Sequence, residues 1–465
     1  MLPAPSLTFT VPSLHDALPL DCRVYHPPSL AVSPDSPPWQ QHSAVVAHPY
    51  APLGGSYDDL VVNLVAATLL RHGFLVATFN FRGAHGSAGR TSWTAKAERA
   101  DYMSVVGFLC HYVHFLNPSG QPLSPPVDGT GCIEVARDGY EPTSAVCIHP
   151  PTPTLPEPLP TGASRPIMLL AGYSYGAMIT AQLPSLESIM AGFNAPQCGS
   201  PAAEIRMRAQ HLAETQSSII ANARAAAMDQ LGPKSPRRGV GLRVGGDEQN
   251  RRSHESRRSF SAELEETVRH GVGELLAKTR KGHRQPQSGQ SRQSRDLDRP
   301  TAEVSDSVPD HLPPVPGRTN FRPAYLLVSP LQGLVTNLAT MSFPSTLPGF
   351  SARMWHLTSG RNTNETPQPG ATDLDGQARV VSAEAEAKLV QNRTLAIYGD
   401  RDGFVPVRKL RDWASRLERV QDSKFRAHEV ASANHFWTEN NVARRLQDAV
   451  RVFSQSLLQE MDMEK

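Results

Sequence analysis

The sequence predicts an α/β protein with a mostly parallel sheet, helices on both faces and long disordered insertions. Short apolar runs alternate with helical stripes along much of the chain, as expected for strand–helix units. The hydrophobic fraction of 39% suffices for one large core but is low for a uniformly folded chain of 465 residues. The 41 prolines and 33 glycines fall largely in clusters. We therefore expect one large domain that carries insertions, not several compact domains.

The N-terminal part shows strand and helix signals in alternation. Residues 7–25 predict two short strands joined by a turn, because apolar residues recur at roughly alternate positions. The compact apolar runs at 43–48 and 74–80 are typical of buried parallel strands. A helical apolar stripe at 58–72 lies between them, and a second helix is expected around 97–116.

The same alternation continues in the C-terminal part. Further strands are predicted at 167–171, 324–329, 394–399 and 425–430. Helices are predicted from Tyr175, at 202–231 and in a closing amphipathic segment that begins near Val442. Antiparallel strands followed by repeated strand–helix units imply a mostly parallel sheet.

Composition divides the chain into four regions. Residues 1–186 form the first half of the core, interrupted by a Pro-rich excursion at 117–165, and residues 319–465 form the second half. The helical segment at 187–232 has an apolar stripe that must be buried, either as a lid or on the outside of the sheet. The Arg-, Ser- and Pro-rich insertion at 233–318 holds too few apolar residues to offset its ordering cost, so we expect it to be disordered.

Charge and cysteine content exclude several classes of protein. The net charge is only +2, so no global field favours nucleic acid. Five cysteines without a CxxC pair argue against a disulfide framework and against a structural zinc site. No secretory signal is apparent and no apolar run is long enough to span a bilayer, so we expect a soluble, cytoplasmic protein.

The insertion carries the local basic excess. Eight Lys and Arg residues lie between Lys234 and Arg258, but Phe260 is the one aromatic residue near them. Without a stacking platform, specific nucleic-acid binding is not expected. Contact with RNA or acidic lipids is the alternative, and nonspecific solvation or phosphorylation of Ser253, Ser259 or Ser261 is favoured, which would make a kinase or other regulatory protein a partner of the insertion.

The sharpest motif is the segment GYSYG at 172–176, which directly follows a predicted strand and precedes a predicted helix. A nucleophile elbow has this order, with Ser174 on a tight turn and glycines where neighbouring backbone crowds it. The bare pattern arises easily by chance, so an ordinary turn is the alternative. The strand–turn–helix context favours Ser174 as a nucleophile beside a helix N-terminus that stabilises negative charge.

A nucleophilic serine needs a base and an orienting carboxylate, here expected in the order Ser, Asp, His. Asp400 and Asp402 follow the predicted strand at 394–399, and His435 lies in the loop before the last helix. We predict His435 as the base and Asp402 as the acid, with Asp400 as the alternative acid. His428 lies within a predicted strand, where a structural role is expected.

Stabilisation of an oxyanion needs two N–H donors. Tyr175, the residue after the nucleophile, offers its backbone N–H. The second donor is expected in the loop at 48–55, whose prolines have no N–H. Tyr50, Ala51 and Leu53 remain as candidates, and Tyr50 is favoured. A Pro-Gly turn without a catalytic role is the alternative for this loop.

Five motifs in order carry a family resemblance: HPYAPLGGSYDD, NFRGAHGSAG, GYSYGA, YGDRDGFV and ANHFW. Together they resemble the dienelactone-hydrolase-like and serine-aminopeptidase-like branch of the α/β-hydrolase superfamily. The match covers about 280 residues, roughly 1–116, 166–186 and 320–460. The resemblance implies the α/β-hydrolase fold with helices on both faces of the sheet. It says little about the substrate, since the chain departs from the compact pattern at 117–165 and 187–320.

These observations predict a serine hydrolase that acts on a small-molecule ester or amide through an acyl-enzyme. A carboxylester is the default substrate because its acyl group is the easiest to transfer. A peptidase or thioesterase with the same triad, and a non-catalytic scaffold regulated through the insertion, are the alternatives. No cofactor or metal is expected, because the Gly-rich loop at 82–87 lacks a Gly-Lys-Ser/Thr ending and the motifs contain no metal-ligand spacing.

Overall fold

In the computed structural model, the described residues are 2–30, 39–92, 94–117, 165–231, 310–332 and 385–463. The predictions of a Pro-rich excursion and of a disordered insertion fall mainly on 118–164 and 232–309, which lie outside these ranges. The core of the chain, including every candidate site residue, lies within them.

The described strands form one eight-stranded sheet in the order β1-β2-β4-β3-β5-β6-β7-β8. β1 pairs with β2 and β2 with β4 in antiparallel fashion, and all other pairs are parallel. The strands are β1 (Leu7–Pro12), β2 (Pro19–Tyr25), β3 (Ser43–Ala47), β4 (Leu75–Phe79), β5 (Ile167–Tyr173), β6 (Arg322–Val328), β7 (Arg393–Gly399) and β8 (Phe425–Val430).

Helices cover both faces of this sheet. One apolar cluster includes side chains of α1 and α7, and the other includes side chains of α2 to α6. The helices are α1 (Leu60–Arg71), α2 (Lys96–Phe115), α3 (Tyr175–Gln182), α4 (Leu186–Ala191), α5 (Pro201–Leu231), α6 (Val407–Glu418) and α7 (Val442–Met463). Residues 385–391 are also helical. The predicted fold class is therefore confirmed, and the fold is the α/β-hydrolase fold.

The apolar runs form strands here because the centre of the sheet is covered on both sides. Every residue of β3, β4 and β5 is buried. This explains why their sequences are continuous hydrophobic runs and not alternating apolar and polar residues. The edge strand β8 is more exposed and more polar. Since the six strands from β3 to β8 run parallel, their carboxyl ends meet at one edge of the sheet, where the loops can carry a site.

Helix α5 belongs to the core through its N-terminal two thirds. Its buried apolar residues pack against α2 and β1, and the Arg208 guanidinium donates a hydrogen bond to the carbonyl of Thr10. The buried apolar residues are Ala203, Ile205, Ala209, Leu212, Ala213 and Ile220. This packing buries the apolar stripe of α5 against α2 and β1. A lid role for the segment at 187–232 stays a prediction.

The predicted end of the insertion was wrong. Residues 310–318 belong to the packed structure, since the N–H of Leu312 donates to Pro196 O over 2.9 Å and the Arg318 guanidinium donates to Met190 O over 3.2 Å. Gln197 and His311 also form an antiparallel bridge. Backbone pairing with residues 196–198 orders this polar segment, and composition alone does not reveal such pairing.

Two of the named helices were not predicted, and neither was the helical segment at 385–391. α6 places Leu410, Trp413 and Leu417 on one buried face, a spacing of three to four residues that the sequence already contained. α4 spans only Leu186–Ala191, too short for a periodic signal. Within the described ranges, the helices lack the combined length and apolar character that spanning a membrane requires.

Candidate active site

Ser174 occupies the turn between β5 and α3 in an unusual backbone conformation. Its φ of 56° and ψ of −114° place it outside the regions that non-glycine residues favour. The turn is held on both sides, because the N–H of Ser174 donates to Val328 O over 2.8 Å and its carbonyl accepts from the Met178 N–H over 3.0 Å. Such backbone strain costs on the order of 1–3 kcal/mol and persists where the surrounding structure fixes it, often at functional sites.

The two glycines of the motif are required by close approaches of backbone. A Cβ atom at Gly172 would lie 2.3 Å from the carbonyl carbon of Gly176, across the turn. A Cβ atom at Gly176 would lie 2.6 Å from the carbonyl oxygens of Ala47 and His48. The first glycine therefore allows the tight turn, and the second allows the start of α3 to rest against the end of β3.

Ser174, His435 and Asp402 are joined by two hydrogen bonds at the carboxyl edge of the sheet. His435 Nε2 lies 2.8 Å from Ser174 Oγ, and His435 Nδ1 lies 2.7 Å from Asp402 Oδ2. The carboxylate can only accept, so Nδ1 carries the proton and Nε2 is available to accept the proton of the serine hydroxyl. This arrangement can activate a serine hydroxyl as a nucleophile.

The two neighbouring aspartates have different partners. Asp402 Oδ1 accepts hydrogen bonds from the N–H groups of Phe404 and Val405 over 2.8 and 3.0 Å, which leaves Oδ2 directed at His435. Asp400 Oδ1 instead accepts from the N–H of Ser432 over 2.6 Å. The structure thus brings Asp402 to His435, while Asp400 tightens the loop after β8. His428 is exposed on β8.

Sequence reasoning missed the groups that hold the histidine loop. The Tyr173 hydroxyl, just before the nucleophile, donates to the carbonyl of His435 over 2.9 Å. Trp437 Nε1 donates to Ser329 Oγ over 3.1 Å at the end of β6. Both residues lie in or beside the motifs, but their long-range partners could not be predicted from the sequence. They fix the histidine loop to the ends of β5 and β6.

The loop after β3 lies beside the elbow. The rings of Tyr50 and Tyr175 have centroids 5.1 Å apart. Tyr175 is the first residue of α3, so its N–H has no acceptor within the helix. Tyr50 precedes a single 3₁₀ turn (Ala51–Leu53), and its carbonyl accepts from the N–H groups of Leu53 and Gly55. The neighbourhood suits an oxyanion site between the two segments, and Tyr50 as the second donor stays a prediction.

His48 is a buried residue that holds this loop in place. Its Nε2 accepts a hydrogen bond from the N–H of Phe81 over 2.8 Å, and its Nδ1 faces the carbonyl of Pro49. Burial lowers the pKa of His48 to about 4, so the imidazole is neutral at pH 7. The neutral ring links the loops after β3 and β4 and was not assigned a role from the sequence.

The Gly-rich loop at 82–87 is anchored by an ion-pair cluster in which Arg82 and Asp101 are buried and Asp16 is exposed. The Arg82 guanidinium lies 2.7 Å from Asp101 and 2.8 Å from Asp16, and the hydrogen bond from Arg82 lowers the pKa of Asp16. His85 is exposed at the tip of this loop. The cluster is typical of a tight structural connection. Among the described residues, no group of three or more His, Cys, Asp or Glu side chains could hold a metal ion.

Neither a family model nor a curated protein sequence matches the chain. Solved structures with a similar outline include an α/β serine hydrolase homologue from Coxiella burnetii, at 11% identity and a TM-score of 0.39, covering 97% of this chain and 99% of that one. A lidless α/β serine hydrolase from Xanthomonas campestris has 15% identity and a TM-score of 0.37, covering 98% and 97%. Est1E from Butyrivibrio proteoclasticus, with ferulic acid bound, has 9% identity and a TM-score of 0.39, covering 96% and 98%. Likeness at this level does not reveal an activity, and the assignment of the fold rests on the sheet and its elbow.

Proposed function

We propose that the protein is a serine hydrolase that cleaves a carboxylic ester through an acyl-enzyme formed on Ser174. The observation that carries the proposal is the pair of hydrogen bonds from His435, one to Ser174 and one to Asp402, at the carboxyl edge of the sheet. The strained turn at Ser174 adds support, because it places the hydroxyl beside the N-terminus of α3.

In the proposed reaction, Ser174 Oγ attacks the ester carbonyl carbon while His435 Nε2 accepts the hydroxyl proton. Asp402 keeps the imidazole in the required tautomer and stabilises its charged form. His435 then gives the proton to the departing alcohol oxygen, which leaves the acyl group on Ser174. A water molecule, deprotonated by His435, hydrolyses this acyl-enzyme and restores the serine.

The developing oxyanion would receive hydrogen bonds from the backbone N–H groups of Tyr175 and Tyr50. Donors that are fixed before the reaction need no reorganisation. Removing one such donor from a serine hydrolase lowers kcat by about 10²- to 10³-fold. The close packing of Gly176 on the end of β3 supports this role, because it brings the two segments together.

The ester remains the preferred substrate on chemical grounds, because an ester transfers its acyl group more easily than an amide does. The same three side chains also serve amide and thioester cleavage, so these substrates stay the alternatives. A cytoplasmic location and a kinase or other regulatory partner of the insertion stay predictions from the sequence. The insertion residues 233–309 lie outside the described residues, so they add no support to either prediction.

The test is labelling by a fluorophosphonate probe together with hydrolysis of p-nitrophenyl esters. Wild-type protein should be labelled and should hydrolyse at least one ester, whereas Ser174→Ala and His435→Ala should abolish both. Assaying aminoacyl amides and acyl-thioesters beside the esters identifies the preferred acyl group. Equal labelling of wild type and Ser174→Ala would remove Ser174 as the nucleophile.

A further inference from the structure

Two exposed phenylalanines lie directly against the candidate catalytic histidine. The ring of Phe404 has its centroid 4.6 Å from that of His435, and the ring of Phe436 lies 5.6 Å from the same imidazole. The two phenylalanine rings also contact each other edge to face at 5.6 Å. His435 itself is 3% exposed, but Phe404 is 37% and Phe436 is 55% exposed. We refer to Phe404 and Phe436 as the aromatic rim.

Local hydrogen bonds fix the backbone beneath both rings. The N–H of Phe404 donates to Asp402 Oδ1, and the N–H of Phe436 donates to Asn434 Oδ1, each over 2.8 Å. The aromatic rim is therefore held in position next to the imidazole although it faces solvent. Two adjoining exposed aromatic rings beside the candidate catalytic histidine offer a contact surface for an apolar or aromatic part of a substrate.

The position of the aromatic rim defines which part of a substrate it would meet. In the proposed mechanism, His435 Nε2 transfers its proton to the oxygen of the departing alcohol. That oxygen must come within hydrogen-bonding distance of Nε2, so the group attached to it lies along the imidazole. The acyl group, in contrast, is bonded to Ser174 Oγ and held by the N–H donors near Tyr175.

We propose that the aromatic rim is the leaving-group subsite, and that the protein prefers esters of aromatic or other bulky apolar alcohols. This inference rests on the proposed hydrolase function and deepens it. During acylation the bond between the carbonyl carbon and the alcohol oxygen breaks as the bond to Ser174 Oγ forms. The alcohol oxygen takes the proton from Nε2 and leaves neutral, while its apolar substituent packs edge to face on Phe404 and Phe436.

The test compares kcat/KM for benzyl acetate and ethyl acetate, which share the acyl group and differ in the alcohol. Phe436→Ala is the main variant, because its ring is the more exposed and its N–H does not contact Asp402. Loss of one edge-to-face contact should lower the ratio of benzyl to ethyl acetate by about two- to tenfold. Phe404→Leu, which keeps an apolar side chain, should lower it less than Phe404→Ala does. Val452→Ala, an exposed apolar residue on α7, is the control and should leave the ratio unchanged.

A second ratio separates the two sides of the ester. The ratio of ethyl hexanoate to ethyl acetate varies only the acyl chain, and it should stay within about twofold in Phe436→Ala. A benzyl-to-ethyl ratio that is unchanged in Phe436→Ala, or a change in the acyl ratio alone, would overturn the subsite assignment. A wild type that neither hydrolyses any ester nor reacts with the fluorophosphonate would instead overturn the hydrolase function, and the subsite with it.

Discussion

Asp400 and Asp402 lie two positions apart, yet their side chains perform different tasks. The Asp402 carboxylate uses one oxygen to accept two backbone N–H groups and the other to contact His435. The Asp400 carboxylate accepts from the N–H of Ser432 and so connects the loops after β7 and β8. A carboxamide at position 400 can still serve, because its oxygen accepts the hydrogen bond from the Ser432 N–H. A carboxamide at position 402 serves poorly, because its N–H₂ group repels the Nδ1–H of the imidazole.

We therefore predict that Asp402→Asn reduces kcat far more than Asp400→Asn does. The loss at Asp402 should approach about 10⁴-fold, because an amide at this position favours the wrong histidine tautomer. Asp400→Asn should retain most activity and serves as the matched control. The measurement is steady-state ester hydrolysis with the thermal midpoint of each variant determined in parallel. If Asp400→Asn lost most of its kcat while its thermal midpoint stayed unchanged, Asp400 and not Asp402 would be the orienting acid.

At the residue scale, the sequence supplied the candidates but not their long-range partners. Ser174, Asp402 and His435 were predicted from their positions after strands, since parallel strands place their carboxyl ends at one edge. The hydrogen bond from Tyr173 to the carbonyl of His435 joins residues far apart in the chain. No local pattern encodes such a bond, and the same holds for the aromatic rim, which depends on how two loops meet.

The elbow shows how one element sets the geometry of the site. β5 and α3 are separated by Ser174 alone, and the turn leaves no room for a side chain at Gly172 or Gly176. The strands were predictable because buried parallel strands are continuous apolar runs. α4 and the pairing of 310–312 with 196–198 were not predictable, because short or polar segments take their order from tertiary contacts rather than from periodicity.

We predict that Gly172→Ala destabilises the elbow. The added Cβ would lie 2.3 Å from the backbone of Gly176, and backbone cannot move aside as a flexible side chain can. Overpacking of this kind lowers the free energy of unfolding by about 1–3 kcal/mol, so the thermal midpoint and probe labelling should both fall. Gly192→Ala is the matched control, because Gly192 has a φ of −65° and its nearest contact is an ordinary 3.5 Å. An equal thermal midpoint for Gly172→Ala and Gly192→Ala would show that the turn tolerates a side chain.

On the scale of the whole molecule, two distant parts of the sequence complete one sheet. β5 pairs with β6 in register from Ile167 and Arg322 onward, although the insertion and α5 lie between them. The chain returns through residues 310–318, of which 310–312 pair with 196–198 before α5, and continues into β6. Residues 310–318, on the C-terminal side of the insertion, are therefore part of the packed structure. The entropic cost of closing such a loop grows only logarithmically with its length.

The last prediction tests where the insertion ends. Replacing residues 233–309 with a Gly-Ser linker of about 20 residues, which reaches about 25 Å, should preserve the thermal midpoint and the labelling of Ser174. Extending the replacement to 233–318 removes the hydrogen bonds of Leu312 and Arg318 to the residues near α4 and α5. The thermal midpoint should then fall, because Pro196 O loses the Leu312 N–H, Met190 O loses the Arg318 guanidinium, and the segment that leads into β6 loses these contacts. If the shorter replacement alone unfolded the protein or abolished labelling, residues 233–309 would have to be counted as part of the folded core.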